Sequence, residues 1–333
     1  MKGYMIFNHK IKKMKKKFIW IYYDIRWRMN IFYRNRIHKN LFNLRKKYGK
    51  NRFILGEEAN GKIKEMILSN KPFACCRFGI SEFNYVIQHD KDEIWEKNSL
   101  ANMDEVREMF QLFPNDKGSG ISKFAGIMRE ACNNADFLGV WPYTVMGDYY
   151  VSTIEDIQKK VVASALLVEP YYYDEPWSEA LRGKKVLVIS PFDDEIMKQY
   201  KTNRDRLFLN KKVLPEFELV TLKAVWFDAA GKDPRFTTWF DVYDYLYEEA
   251  MKLDFDIALL GCGTFGFPLA SRFKAAGKQA IHMGGALQLL FGIIGKRWEE
   301  NENVNCFFND FWIHPEKPKM ELNYTHLDEG CYW

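Results

Sequence analysis

The sequence predicts an α/β fold: a doubly wound, mostly parallel, Rossmann-like sheet of about six strands, preceded by a basic N-terminal helical arm. Short apolar runs alternate with longer stretches whose apolar residues recur at helical spacing, and no low-complexity linker separates them. Glycine turns follow several of the apolar runs. At 333 residues and 47% hydrophobic content, the chain can bury a large core. Such alternation is typical of parallel sheets that are covered by helices on both faces.

Six apolar runs predict the strands of this sheet. They are Phe73–Phe78, Asp136–Trp141, Lys185–Ser190, Leu219–Ala224, Asp256–Leu260 and Lys278–Met283. Helices are expected between them, from Ser81, over Thr153–Val168, over Asp193–Tyr200, over Trp239–Lys252 and from near Pro268. Because sheets of this kind bind ligands outside the carboxyl ends of their strands, the residues that follow each run are the candidates for function.

The run Asp256–Leu260 leads into a turn that carries Gly261, Gly263 and Gly266 before a helix. Their spacing is G-x-G-x-x-G, in which glycines let the backbone approach a ligand and the helix start favours a phosphate. The same pattern also occurs as a plain tight turn. A nicotinamide site would place an acidic residue about 20 residues later, whereas the next strand ends in His282 and glycine. The lack of an acidic residue there argues against a dehydrogenase. A nucleotide that is linked to another group, such as a sugar, stays open as the ligand.

The first strand leads into Arg77-Phe-Gly-Ile-Ser-Glu82, which places a basic and an acidic residue around a turn. Gly79 permits a sharp exit from the strand. An arginine can bind a diphosphate through two parallel hydrogen bonds, and a carboxylate can hold a hydrated divalent ion or bind sugar hydroxyls. Glu82 could equally do no more than complement the dipole of the helix that follows. We expect Arg77 and Gly79 to bind substrate and Glu82 to be catalytic.

Two further strand ends carry candidate residues. Ser190 ends the third strand, and Asp193 begins the next helix, where an acid is commonly a cap but could be catalytic. The last strand leads into Gly284 and Gly285, a second glycine turn at a helix start and therefore a second candidate anion site. Gln288 follows as a candidate polar contact.

Lys296 and Arg297 follow shortly after that turn and could neutralise a pyrophosphate, or be ordinary surface charges. The six histidines are scattered without metal-ligand spacing, and His282 at a strand end is more often a core residue than a base. No G-x-S-x-G elbow and no G-K-[ST] loop occurs. Hydrolase-triad and P-loop functions therefore lack support.

The net charge of +5 hides a sharp division of the chain. Residues 1–52 hold 17 Lys or Arg against the single acid Asp24, whereas the remainder holds 32 basic against 43 acidic residues. Aromatic residues such as Trp20 and Tyr22 are interleaved with the basic ones, which suits the surface of an anionic membrane. A helix packed on the body of the protein, or a nucleic-acid contact, would use the same residues. Because the rest of the chain is acidic, we do not expect nucleic acid to be the main partner.

Composition also bears on compartment. The six cysteines include no C-x-x-C pair, and a reduced cytoplasmic setting is the simpler interpretation. The most apolar N-terminal run, Phe18–Tyr33, contains Asp24, Arg26 and Arg28, too many charges for a membrane-spanning helix. We therefore expect a cytoplasmic protein that is peripheral on the inner face of the membrane.

Arg77-Phe-Gly-Ile-Ser-Glu82 resembles the R-F-G-D-G-E signature of the GT-D-type glycosyltransferases, a family once catalogued as a domain of unknown function. The stretches Lys184–Phe192, Leu260–Gly263 and Gly284–Trp298 are similar to bacterial exopolysaccharide-cluster proteins related to that family. The resemblance spans roughly residues 70–300. It implies transfer of a sugar from a nucleotide donor, typically UDP-linked, to a growing polysaccharide or surface glycan.

In that family, the two carboxylates of a D-x-E pattern bind the complex of metal and nucleotide sugar. Glu82 matches the second carboxylate, and Ile80 stands at the position of the first. The resemblance thus implies Mn²⁺ or Mg²⁺ at Glu82, and Ile80 puts that metal in doubt. The general base that takes the proton of the acceptor hydroxyl stays open among Asp148, Glu169 and Asp193.

The predicted function is therefore a glycosyltransferase that uses a nucleotide sugar and a glycan or lipid-linked acceptor. The chain would divide into a basic aromatic arm, residues 1–52, and a GT-D-like α/β catalytic domain, residues 53–333. A non-catalytic nucleotide-binding or scaffold subunit of polysaccharide assembly is the alternative, and Ile80 is the feature that favours it.

Overall fold

The computed structural model describes residues 2–37, 47–48, 51–97, 119–140, 147–164, 169–225, 233, 235–316 and 332. Nine strands lie in these ranges: β1 (Lys47–Tyr48), β2 (Asn51–Ile54), β3 (Phe73–Arg77), β4 (Phe137–Val140), β5 (Val161–Ser164), β6 (Lys185–Ser190), β7 (Glu218–Lys223), β8 (Ile257–Leu260) and β9 (Gln279–His282). The longer helices of the described ranges are α1 (Lys2–Ile37), α2 (Glu57–Leu68), α3 (Ile80–Trp95), α4 (Ser119–Asn134), α5 (Gly147–Ser152), α6 (Asp193–Leu207), α7 (Trp239–Met251) and α8 (Gly266–Ala275). Three short helices follow: α9 (Ala286–Leu290), α10 (Lys296–Glu299) and α11 (Glu302–Asn305).

The strands form one sheet in the order β1-β2-β5-β4-β3-β9-β8-β6-β7. Apart from the antiparallel β1–β2 pair, every described strand pair is parallel. All six strands predicted from apolar runs are present, and helices lie on both faces, so the predicted α/β fold is confirmed.

Both faces of the sheet are buried, which explains why its strands read as continuous apolar runs. In β6, Leu187 and Ile189 point into one hydrophobic cluster, whereas Val186 and Val188 point into the other. Each of these four side chains is fully buried. The alternation follows from the two-residue period of a strand.

The connections after β6 and β8 leave on opposite faces of the sheet. Helix α6, which joins β6 to β7, buries Ile196 and Leu207 in one cluster, and α8, which joins β8 to β9, buries Leu269 and Phe273 in the other. Adjacent strands whose connections diverge in this way leave a crevice at their carboxyl ends, where α/β proteins bind ligands. Here that crevice lies between β6 and β8.

The helix predicted over Thr153–Val168 is wrong for its described part. Residues 161–164 form β5, which pairs on one side with β4 and on the other with β2, and residues 165–168 lie outside the described ranges. Val162 and Ala163 are fully buried. A four-residue strand inside a longer apolar stretch shows no clear period, so tertiary pairing decided its conformation.

The predicted basic arm is helical over Lys2–Ile37. The predicted boundary between residues 52 and 53 falls inside β2, which joins the sheet through β5, and the division into two domains stays a prediction. Among the described residues, no helix is both long and apolar enough to cross a bilayer.

Candidate functional site

The sheet order places four of the predicted strand-end loops along one edge. Strands β3, β9, β8 and β6 are consecutive neighbours, and all four are parallel, so their carboxyl ends meet. Neighbouring strands are about 4.8 Å apart, so the loop after β6 is about 14 Å from the loop after β3. The predicted site residues therefore fall into groups along this edge.

Arg77 lies at the carboxyl end of β3 and contacts the turn after β9. Its NH1 group donates to the backbone oxygen of Met283 at 3.0 Å and to Oε1 of Glu169 at 3.2 Å. A Cβ atom built on Gly284 would lie 3.8 Å from Nε of Arg77. The side chain of Arg77 is only 16% exposed, so its charge acts at this edge with little screening by water.

The turns after β8 and β9 contact each other. Gly284 has a φ of +60°, a left-handed conformation that favours glycine, and its N–H donates to Leu260 O at 3.1 Å. A Cβ atom built on Gly261 would lie 3.0 Å from Gly284 O and 2.7 Å from Leu287 Cδ2. The structure therefore brings together Arg77, Gly284 and Gly261, which the sequence placed on three separate strands.

The three glycines of the G-x-G-x-x-G pattern have different physical roles. Gly263 has a φ of +57° and open space where a Cβ would project. Gly261 is required by the close approach of Leu287, and Gly266 by His282, whose Nε2 would lie 2.7 Å from a Cβ at that position. Two of the three glycines are thus explained by packing. Gly263 is exposed, whereas the first residues of α8, Gly266–Pro268, are buried.

His282 is held in one tautomer at the centre of this group. Its Nδ1 lies 2.8 Å from the backbone oxygen of Arg77, and because a carbonyl oxygen only accepts, Nδ1 must donate. Nε2 therefore keeps its lone pair, beside Gly266. Burial, followed by the positive charge of Arg77, lowers the pKa of His282 to about 3, against a smaller opposing effect of the Arg77 carbonyl. His282 is thus neutral at physiological pH.

Glu169 is the acidic partner of Arg77. Its side chain is 9% exposed, and burial raises its pKa, although Arg77 and the hydroxyls of Tyr171 and Tyr172 act in the opposite direction. Glu169 was predicted as a candidate base, but its contact with Arg77 was not predicted, because 92 residues separate the two in the chain. No local pattern around Glu169 signals this contact.

Glu82 lies in the first turn of α3, close to Arg77 in the chain. Its carboxylate folds back over Gly79, so that a Cβ built on Gly79 would lie 2.5 Å from Oε1 of Glu82. Both Gly79 and Glu82 are partly exposed. Ile80 begins α3, and its side chain lies outside the described part of the structure.

Asp193 and Ser190 lie at the other end of the edge, beside the crevice between β6 and β8. Ser190 is buried, and its Oγ accepts the N–H of Phe192 at 3.2 Å, which shapes the turn. Asp193 begins α6 and lies 3.3 Å from Nζ of Lys223 on β7. Asp193 is therefore three strands away from Arg77.

These positions decide how well the described residues fit a divalent metal. Glu82 brings one carboxylate to the turn that Arg77 precedes, and Asp193 is too distant to share an ion with it. A Mg²⁺ or Mn²⁺ ion needs more oxygen ligands than this set offers, so the described side chains near Glu82 do not fit a metal by themselves. The predicted metal stays a prediction.

A different acidic cluster lies on α3. His89, Asp90 and Glu93 bring possible ligand atoms within 4.8 Å of one another. Asp90 is already paired with Arg129, and His89 Nε2 lies 3.1 Å from Ser122 Oγ. The cluster lies on the body of the helix and not at the carboxyl edge.

The remaining predicted residues gather around Tyr332. Gln288 is buried and donates from Nε2 to the backbone oxygen of Tyr332 at 3.2 Å. A Cβ built on Gly285 would lie 2.9 Å from Cε1 of Tyr332, and the Arg297 guanidinium stacks 4.0 Å from the same ring. Lys296 and Arg297 are exposed at the start of α10, beside the turn after β9. Nothing in the sequence indicates a role for Tyr332, because an isolated aromatic residue carries no pattern.

Asp148, the other candidate base, lies in α5, and its side chain is outside the described part of the structure.

No family model and no curated protein matches the chain. Among solved structures, the chain is similar to a selenomethionine-substituted domain of unknown function 1792, with a TM-score of 0.43 and 13% sequence identity over 82% of this chain and 92% of that chain. A likeness at this level says nothing about activity.

Proposed function

We propose that this protein is a glycosyltransferase that moves a sugar from a nucleotide-sugar donor, of the UDP-linked kind, to a polysaccharide or surface-glycan acceptor. The observation that carries the proposal is the position of Arg77 against the Gly284 turn, which in turn contacts the Gly261 turn. A largely buried cation and two glycine turns then lie at the same edge, where the exposed Gly263 precedes α8. A diphosphate is the group that such an arrangement recognises.

The reaction would use these residues mainly for electrostatic stabilisation. When the bond between sugar and diphosphate breaks, negative charge grows on the leaving phosphate. Arg77 and the amino end of α8 supply fixed positive potential there, which costs no reorganisation during the reaction.

A carboxylate must also take the proton of the acceptor hydroxyl. Glu169 is buried and already paired with Arg77, whereas Glu82 is partly exposed at the edge. These surroundings favour Glu82 as the base. Glu169 then positions the guanidinium of Arg77.

Thermal-shift and calorimetric titrations with UDP, GDP and TDP sugars, with and without Mn²⁺, test the proposal. We expect one nucleotide class to stabilise the protein, and the variant Arg77→Gln/Glu169→Gln to lose most of that stabilisation while it still folds. Arg182→Gln, an exposed arginine before β6, is the matched control and should bind as the wild type does. If no nucleotide sugar binds, or the double variant binds unchanged, the proposal fails.

A second candidate is a non-catalytic nucleotide-binding or scaffold subunit of the same assembly process. Ile80 in place of an acid, together with the incomplete ligand set around Glu82, favours it. A protein that binds the nucleotide sugar but neither hydrolyses nor transfers it would support this candidate. If Ile80→Asp then gains Mn²⁺-dependent turnover, the missing carboxylate at position 80 is what the wild-type protein lacks for catalysis.

A further inference from the structure

Helix α1 carries an exposed apolar face between Met14 and Phe32. Seven exposed residues recur at helical spacing and fall within about 100° of the helix circumference, since successive residues are rotated by 100°. They are Met14, Phe18, Ile21, Tyr22, Ile25, Met29 and Phe32, and we call them the apolar stripe. From Met14 to Phe32 the stripe is about 27 Å long, at 1.5 Å per residue.

Basic residues border the apolar stripe on both sides. By the same rotation, Lys10 and Arg28 lie along one border and Lys12 and Lys15 along the other, and all four are exposed. Asp24, the single acid of the arm, is paired with Arg28 at 2.8 Å. The apolar stripe is therefore flanked on both sides by positively charged side chains.

The opposite side of α1 is fixed to the body of the protein. Trp20 is 8% exposed and meets Trp95 edge to face, with ring centroids 6.5 Å apart. Lys13 pairs with Glu96, and the ammonium of Lys91 lies 5.3 Å from the Trp20 ring. Because these contacts hold one side of the helix against α3, the apolar stripe faces outward.

We propose that α1 binds flat on an anionic lipid bilayer, with the apolar stripe in the acyl boundary and the bordering lysines at the headgroups. A helix with an apolar stripe, aromatic residues and basic borders is the form that lies in a membrane interface. Charge argues against a second copy of the chain as the occupant, because two such helices would bring their lysines together. No described helix could span the bilayer, so this binding would be peripheral.

The direction of α1 places the bilayer near the candidate site. Lys13 meets Glu96 at the end of α3, and Trp20 meets Lys91 a turn earlier, so the two helices run antiparallel. Beyond Trp20, α1 therefore runs in the direction of the start of α3, which lies at the carboxyl edge that holds Arg77. This orientation suits a lipid-linked acceptor, a point that rests on the proposed transferase, whereas the membrane binding itself does not.

Vesicle flotation of the full chain tests the proposal. The vesicles are phosphatidylcholine alone, or phosphatidylcholine mixed with phosphatidylglycerol, at physiological salt. We expect the protein to float only with the anionic vesicles. Phe18→Ser/Ile25→Ser should weaken partitioning by at least tenfold, because two side chains that enter the acyl boundary are lost. Lys10→Gln/Lys12→Gln/Lys15→Gln should weaken it by roughly fivefold per charge.

Leu209→Ser is the matched control, because Leu209 is 99% exposed outside α1, and it should float as the wild type does. Circular dichroism and thermal unfolding check that every variant folds. Unchanged flotation of the stripe variant, or equal binding to neutral vesicles, would overturn the proposal. A stripe-dependent dimer in light scattering without vesicle binding would overturn it in favour of a second copy.

Discussion

His282 is a buried titratable group whose proton balance should set part of the pH dependence of folding. In the folded protein its pKa is about 3, whereas in the unfolded chain it is near the ordinary value of 6.5. At pH values between about 3 and 6.5, the His282 ring binds a proton in the unfolded state but not in the folded state. Stability is therefore fully present above pH 6.5 and declines as the pH falls below it.

We predict that His282 alone lowers the free energy of unfolding by about 2 kcal/mol between pH 7 and pH 5. The variant His282→Asn should lose this dependence, because its amide can still donate to Arg77 O but cannot titrate. Urea unfolding at pH 7 and pH 5 measures the free energy of unfolding of the variant and of the wild type. Glu169, whose pKa is raised, has the opposite effect on stability. That effect is common to both proteins and cancels when they are compared. His314→Asn, an exposed histidine, is the control. An equal loss in wild type and His282→Asn would contradict the prediction.

The Arg77–Glu169 pair should show strong coupling because both groups are largely buried. Arg77→Met leaves a buried carboxylate without its cation and should cost about 3–5 kcal/mol of stability. Arg77→Met/Glu169→Gln should recover most of that loss. The exposed pair Lys159–Asp156 is the control and should show much weaker coupling in the same double-mutant cycle, because water screens its charges. Additive effects at Arg77 and Glu169 would rule out the coupling.

At the level of elements, the start of α8 illustrates how a glycine can be fixed by packing in a helix. Alanine is normally favoured over glycine in a helix by about 1 kcal/mol. Gly266→Ala should nevertheless destabilise the protein by about 1–3 kcal/mol, because its Cβ would press on the His282 ring. Gly126→Ala in α4, where nothing lies within 4 Å, should stabilise it by up to about 1 kcal/mol. Chemical unfolding of both variants measures the contrast, and stabilisation by both would refute the packing role.

The elements that sequence predicted are those with a clear period. The six predicted strands are apolar runs bounded by turn residues, and α3, α6 and α7 begin within a residue of their predicted starts. Strand β5 was missed because its four residues continue an apolar stretch, and β1 and β2 because they lie among the basic residues of the arm. In each case pairing with a distant strand, rather than local preference, determines the structure.

The candidate site was predictable to the extent that it follows from the topology of the whole molecule. Arg77, Gly261 and Gly284 were placed together because the carboxyl ends of parallel strands share one edge. Glu169 and Tyr332 were not, since the loop and terminal segments that bring them to this edge carry no period. Asp193 lies on the same edge but three strands from Glu82, a distance that depends on strand order and cannot be read from spacing.

The position of β9 in that order has a consequence for synthesis on the ribosome. It is the last described strand to be made, yet it lies in the middle of the sheet, between β3 and β8. Until it emerges, both neighbours present unpaired backbone edges, which are templates for incorrect pairing. Growing chains of this protein should therefore depend on chaperone protection until translation has passed the final strand.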